Sequence, residues 1–430
     1  MRNSLVVIVI GAMSAGISGA ATAQEQTTPT SPAMRGLAAA MIAGKPNALA
    51  GFWDDVERRG TPLIEAAAHR DSSLVTFVYR GGSAVRAVRL SSGLNSLLDD
   101  WNAAGFTSTG QMDRLVGTDV WYASVVVGRD LRVSYRFAVA TSSDTAYKEV
   151  LDTLNPRVYR PDRERLRASL LELPSAPPQP WHARGKELGA WRQRKVADSL
   201  GRENDVFVYL PAGFDAQRAE PYPVLIGLDS YSFGIGMPGA LIMDHLITTQ
   251  AIPPTVLVSA NVPRGTGLDE LKTTTGYVAD HLLPRLRSEF NVTSNPKRVV
   301  IAGTSRRGLI ATYTAFMRPD AVANVLTLSG SFYWKPDGAM EYEWLTHRFA
   351  TEDKRSLRLF VAAGNLETVV TSNNRGHYML AANRHMRDVL QARGYEIDYW
   401  EFAGAHSDLS WQDGLARGLA ELLADPSPAR

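Results

Sequence analysis

At 430 residues the chain is too long for one ordinary domain core and comfortable for two. Hydrophobic residues make up 45 % and charged residues 21 %, which excludes a disordered chain, and a net charge of +2 gives no bulk field for nucleic acid or a membrane surface. Cysteine is absent, which excludes disulfides, thiol nucleophiles and thiolate metal sites.

Arg2, the apolar run Leu5–Ile10, small residues to Ala20 and then Ala21-Thr22-Ala23 form the pattern of an export signal over residues 1–23. Cleavage after Ala23 would leave a periplasmic or secreted protein starting at Gln24; an uncleaved anchor or a buried first strand is the alternative. No other segment offers the ~20 apolar residues of a membrane-spanning helix. Residues 24–34, rich in Thr, Pro, Ser and Gln, read as a flexible stretch. A helical pattern follows from Met34 to Glu57. The runs Leu74–Arg80, Ala84–Leu90, Val120–Val127 and Val133–Ala140 alternate as strands do, and with the turns between them predict a small antiparallel sandwich over residues 35–170. Leu173–Trp181 is the densest proline segment and sets a stiff linker at 171–185.

From 186 to 425 the rhythm changes. Apolar strands at Val206–Tyr209, Val224–Leu228, Thr255–Ala260, Arg298–Ala302, Val325–Leu328, Leu357–Ala362 and Glu396–Phe402 alternate with helices at Leu241–Thr248, Tyr277–Glu289, Leu309–Met317 and Gly414–Leu423. That alternation predicts an α/β domain with a mostly parallel sheet covered on both faces.

One strand end carries a reactive residue type. Val299 to Ala302 runs into Gly303-Thr304-Ser305-Arg306-Arg307-Gly308 and then a helix, the context of a nucleophile elbow with Ser305 at its apex and the Arg306 amide behind it as an oxyanion donor. Arg307 stands where the second elbow glycine is usual, and Gly308 follows one residue later. The alternative is an ordinary strand-to-helix turn capped by Thr304 or Ser305. Two later strand ends supply the partners in the order Ser, acid, His. Glu367 follows Ala363-Gly364-Asn365-Leu366, and His406 follows Ala403-Gly404-Ala405. His406 is then the general base and Glu367 the acid that orients it, with Asp408 and Asp353 in reserve. A second oxyanion amide is expected at Ser230 or Tyr231, after the strand Leu225–Leu228. The sequence has no zinc-binding helix, phosphate loop or dinucleotide fingerprint, so neither metal nor cofactor is implied.

Several runs resemble the enterochelin (enterobactin) esterase family over nearly the whole chain after residue 23. They are Met112–Trp121, Leu154-Asn155-Pro156 and Leu171–Pro177 in the first domain. In the second they are Ala302–Leu309, Leu328–Trp334, Ala363–Glu367 and Gly404–Leu415. The resemblance implies an N-terminal β-sandwich-like domain on an α/β-hydrolase, and hydrolysis of the triserine trilactone of catecholate siderophores. Ferric iron would enter only as part of the substrate. Such an anion calls for cations and aromatic surfaces, and Arg306, Arg307, Trp334, Lys335 and Arg264 are the candidates, unless the arginines are solvated and Trp334 is core. Two rival functions remain open: an esterase for another exported acyl ester, such as a feruloyl or carbohydrate ester, or a protein that binds ferric siderophore without cleaving it.

Overall fold

The period-2 runs of the first third form two antiparallel sheets. The computed structural model describes residues 30–94, 97, 110–141, 146–160, 164–263, 265–368 and 379–424. The expected export signal and Arg264 lie outside them. Helices α1 (Pro32–Ile42) and α2 (Ala48–Arg59) come first. One sheet orders β1 (Leu63–Ala66), β2 (Ser72–Arg80), β4 (Asp113–Arg114) and β5 (Val120–Gly128) as β1-β2-β5-β4. The other contains β3 (Ala87–Ser92), β6 (Arg132–Ala140), β7 (Lys148–Val150), β8 (Val158–Tyr159) and β9 (Ala168–Glu172), ordered β3-β6-β9-β8 with β7 also on β6. Inward residues of both sheets share one core, in which Phe77 and Tyr135 meet edge-on with centroids 4.8 Å apart.

Three expectations need correction here. The helical pattern of 34–57 is two helices, because Gly44 takes a positive φ of 62° and Pro46 follows it. Residues 32–34 belong to the first of them: the Ser31 side chain accepts from the Met34 amide, and Met34 is fully buried. The stiff linker expected at 171–185 overlaps the sandwich at its start and is packed on the second domain near its end. Strand β9 runs into it as far as Glu172, and Trp181 is buried, its indole donating to Gln412 Oε1 at 2.9 Å.

The second domain is built on one mixed sheet of eight strands, ordered β10-β11-β13-β12-β14-β15-β16-β17. These are β10 (Ala190–Ala197), β11 (Glu203–Leu210), β12 (Val224–Leu228), β13 (Val256–Ala260), β14 (Val299–Thr304), β15 (Asn324–Leu328), β16 (Arg358–Gly364) and β17 (Glu396–Phe402). Strands β12 to β17 are parallel, and β10 and β11 add on antiparallel. Residues on both faces of β12, β13, β14 and β15 are buried, which is why their sequences are continuous apolar runs. The face bearing Ile226 and Ile301 is covered by α4 (Gly267–Gly276), α5 (Leu283–Phe290), α6 (Ser305–Met317), α7 (Trp344–Thr351) and α8 (Met379–Ala392). The other is covered by α3 (Gly239–Thr248) and α9 (Asp408–Leu423).

The parallel strands end together, so the segments after β12, β14, β15, β16 and β17 gather at one sheet edge, the place where open α/β sheets hold ligands. The sandwich docks beside that edge. Arg132 of β6, 5 % exposed, donates to Glu172 Oε1 at 2.6 Å, to the Pro177 carbonyl, and to Asp413 Oδ2 of α9 at 3.0 Å. Arg160, just past β8, donates to the Gly236 carbonyl and to the Tyr231 hydroxyl at 3.1 Å, and pairs with Asp408 at 3.4 Å.

Candidate active site

Ser305 sits where β14 turns into α6, with φ at +50°, a conformation that costs a non-glycine residue about 1–3 kcal/mol. The turn needs two glycines. A Cβ on Gly303 would run into the Arg307 carbonyl and reach the Gly308 amide nitrogen at 2.6 Å. A Cβ on Gly308 would strike the Thr327 hydroxyl of β15 and come within 3.2 Å of Gly330 Cα. Gly308 therefore permits the close helix–strand approach, and Arg307 projects away with its guanidinium on Glu270 Oε1 at 2.8 Å. The departure from the usual glycine spacing leaves the elbow closed.

The acid and the imidazole meet. Glu367, after β16, is buried with its side chain 3 % exposed, and its Oε2 lies 3.1 Å from His406 Nδ1, after β17. Glu367 Oε1 accepts from Ser329 Oγ at 2.5 Å and from the Gly364 amide at 3.1 Å. Trp411, on the first turn of α9, donates to Ser329 Oγ at 2.8 Å and stands nearly perpendicular to the His406 ring, centroids 4.8 Å apart. Ser305 Oγ has Ser331 Oγ as its neighbour at 3.5 Å, and no hydrogen bond joins it to His406.

Neither reserve acid is on the imidazole. Asp408 pairs with Arg160, and burial pushes its carboxyl above the usual carboxylate range while Arg160 opposes that rise. Asp353 precedes β16 and so lies at the opposite sheet edge from Gly364.

Of the two loop amides, that of Tyr231 is engaged. It donates to Asp229 Oδ1 at 2.8 Å, and the Ser232 amide shares that oxygen at 3.2 Å, so Tyr231 does not offer its N–H to an oxyanion. Ser230 is pinned by Oγ on Asn261 at 2.6 Å and by its carbonyl, which accepts from Ser259 at 3.2 Å.

The expected cations are more occupied than the sequence suggests. Arg306 donates to Glu270 Oε2 at 3.1 Å and to the Gly267 carbonyl, and its guanidinium lies 4.2 Å from the Trp334 ring centroid. Arg306 and Arg307 thus share one nearly buried carboxylate. Lys335 bonds the Ala339 carbonyl at 2.6 Å and covers Tyr342. Trp334 is half-buried and packs against the core while still carrying Arg306.

The first domain reaches the same place. Gly93, at the end of β3, packs so tightly on Ala405 that a Cβ would overlap it, and Leu366 packs against the sandwich core. A cleft of about 460 Å³ between the domains is lined by His406, Trp411, Tyr231, Arg160, Arg136 and Ser134 among others. Sequence reasoning did not single out Ser329, Ser331, Trp411, Glu270 or Arg160 as site residues. A signal exists for the two serines, which lie within three residues of the end of β15, a strand of the same parallel set. Among the described residues, no group of His, Asp and Glu is arranged to hold a metal ion, and no helix is long and apolar enough to cross a membrane.

Comparison with known proteins gives two family matches. The family described as "Putative esterase" matches residues 197–422, and "Enterochelin esterase, N-terminal" matches 74–182. The iron(III) enterobactin esterase of Dickeya dadantii is 26 % identical over 423 residues, 88 % of this chain and 93 % of that protein. The iron(III) salmochelin esterase of Escherichia coli is 22 % identical over 413 residues, 89 % and 95 % of the two chains. The ferric enterobactin esterase structure from Salmonella typhimurium has a TM-score of 0.68 at 23 % identity, covering 87 % of this chain and 98 % of that one. The Shigella flexneri enterobactin esterase, solved in the presence of enterobactin, has a TM-score of 0.65 at 23 % identity over 86 % and 97 %. The solved structures establish the shared fold of both domains.

Proposed function

The chain belongs to this esterase family, and we propose that it is a carboxylic ester hydrolase that opens the serine ester bonds of a catecholate siderophore, with Ser305 as nucleophile, His406 as general base and acid, and Glu367 as the orienting acid. The observation that carries the reading is the Glu367–His406 pair at 3.1 Å on the sheet edge that also presents the Ser305 elbow. Relatives named for iron(III) enterobactin and iron(III) salmochelin, matched over most of both chains, supply the substrate class.

Ser305 Oγ gives its proton to His406 Nε2 as it attacks the ester carbonyl carbon. The carbonyl oxygen becomes an oxyanion that takes the Arg306 amide and, with Tyr231 engaged elsewhere, the Ser230 amide. The ester C–O bond breaks, the alkoxide of the leaving serine unit takes the proton from His406, and an acyl-Ser305 remains. Water repeats the sequence and restores the hydroxyl. For the first step Ser305 Oγ has to turn from Ser331 to the imidazole, and catalytic hydrogen bonds of this kind commonly tighten only with substrate in place. The reaction balances with serine, imidazole and water alone, so no resident cofactor is needed, and ferric iron would come in with the substrate. The Arg306–Arg307–Glu270 group carries one net positive charge beside the nucleophile, which suits an anionic substrate. An export signal over 1–23 would place the reaction in the periplasm or outside the cell, checked by sequencing the N-terminus of the exported protein.

The test is incubation with cyclic and linear ferric siderophores beside simple acyl esters, read by mass spectrometry. Release of dihydroxybenzoylserine units, abolished by Ser305→Ala, is the expected result. Faster relative turnover of the simple esters would sink the siderophore assignment. A fluorophosphonate that leaves Ser305 unlabelled while siderophore still binds would sink catalysis itself.

A further inference from the structure

We infer that Ser329 and Trp411 are positioning residues that dictate which nitrogen of His406 is basic. The inference rests on the serine-esterase reading for its consequence, and on donor counting for its content. An indole nitrogen can only donate, so the Trp411–Ser329 bond at 2.8 Å makes Ser329 Oγ an acceptor there. The hydroxyl has one proton, which is left for Glu367 Oε1 at 2.5 Å. That oxygen also takes the Gly364 amide, so both of its lone pairs are used. The carboxylate cannot rotate without breaking two buried bonds, and Oε2 is the oxygen presented to His406 Nδ1 at 3.1 Å. An ionised carboxylate accepts and does not donate, so Nδ1 carries the proton and Nε2 keeps its lone pair.

Trp411 acts on the ring a second time. Its ring meets that of His406 edge to face, with centroids 4.8 Å apart, and so packs one side of the imidazole. One side chain of α9 therefore touches the imidazole directly and bears on its tautomer through a hydroxyl and a carboxylate. The backbone bears this out as a built feature. Ser329 is fully buried with φ at +53°, and its amide donates to the Ala362 carbonyl at 2.6 Å, so its hydroxyl is aimed by a strained turn that local propensity would not choose.

The variants are Ser329→Ala, Trp411→Phe and the two together, in the full chain. The Phe keeps a ring against His406 while removing the donor, and covers the case in which Ser329→Ala folds poorly. Two readouts are used: the rate of Ser305 labelling by a fluorophosphonate, which needs no natural substrate, and the ¹⁵N shifts of the His406 ring, which report the tautomer. Each single variant should slow labelling roughly 10- to 100-fold, the worth of one hydrogen bond in a chain ending on a charged group. The His406 shifts should move from a single Nδ1-protonated form toward a mixture. The double variant should be no slower than the slower single one, because both cut the same chain. Additive losses with unchanged His406 shifts would mean a merely structural role and overturn the inference, as would labelling within twofold of the parent. Failure of the esterase reading would look different: Ser305 would resist labelling in the parent protein, while the ring shifts would still respond to Trp411→Phe.

Discussion

The two halves of the proposed catalytic edge are built by different means. The Ser305 half is a backbone device: two glycines that tolerate no Cβ, a positive φ and a helix started at Ser305 itself. The Glu367–His406 half is a side-chain device, held by Ser329, Trp411 and the carboxylate, and pressed by the sandwich through Gly93 on Ala405. A backbone device is either formed or lost with the fold. A side-chain device can be weakened one bond at a time, and it can take instructions from a neighbouring domain.

Substitution at the two ends should show this most strongly at the nucleophile. Ser305→Ala is expected to lower turnover by roughly 10⁴-fold or more, because the imidazole and carboxylate act through the hydroxyl and only oxyanion stabilisation and binding remain, while the melting temperature stays within a few degrees of the parent. Glu367→Gln comes next, at about 10²- to 10⁴-fold in kcat, since an amide can present a donor to Nδ1 and favour the wrong tautomer. Steady-state kinetics with thermal melts on the same samples check both. A melt that collapses for Ser305→Ala would show that the elbow serine is structural, and would erase the distinction drawn here.

Gly303→Ala tests the backbone half alone. A methyl there meets the carbonyl of Arg307, and a main chain cannot step aside as a flexible side chain can. A loss of about 3 kcal/mol in denaturant-derived stability is expected, at the upper end of overpacking costs, with activity following the folded fraction. Full stability with altered kcat would mean that the turn can open.

This contrast also explains what was legible in the sequence. Strands β12 and β17 are legible to the residue, and the strand-end positions of Ser305, Glu367 and His406 are legible too, because periodicity and strand-end position are local signals. The antiparallel β10 was missed: Ala190–Ala197 is polar and exposed along most of its length, so it carries neither the apolar run nor a clean alternation. The occupation of Arg306 and Arg307 by Glu270 was not readable, since it depends on α4 lying beside the elbow 35 residues later in the chain. The engaged Tyr231 amide was missed for a smaller reason, because an aspartate bonding the amide two residues on is a turn choice that many sequences could make.

The interdomain contact supplies the mildest test and the only titrating one. Asp413 lies on α9 five residues after the start of the helix that carries Trp411, where it faces Arg132 and Glu172 of the sandwich and Gln179 of the proline-rich segment. Burial pushes its carboxyl up to about 6, with Arg132 pulling the other way. The folded protein therefore holds this proton more tightly than the unfolded chain does. As pH rises from about 4 to 6, the unfolded chain releases it first, so this group's contribution to stability falls through that window and is level above it. Asp413→Asn does not titrate. Relative to the parent, its stability should gain by up to about 3 kcal/mol between pH 4 and pH 7, read as the difference between paired denaturant melts so that all other groups cancel. Parallel curves for the two proteins would mean that the sandwich does not seal Asp413 from water. The His406 side would then lose its claim to be the half of the site that the first domain governs.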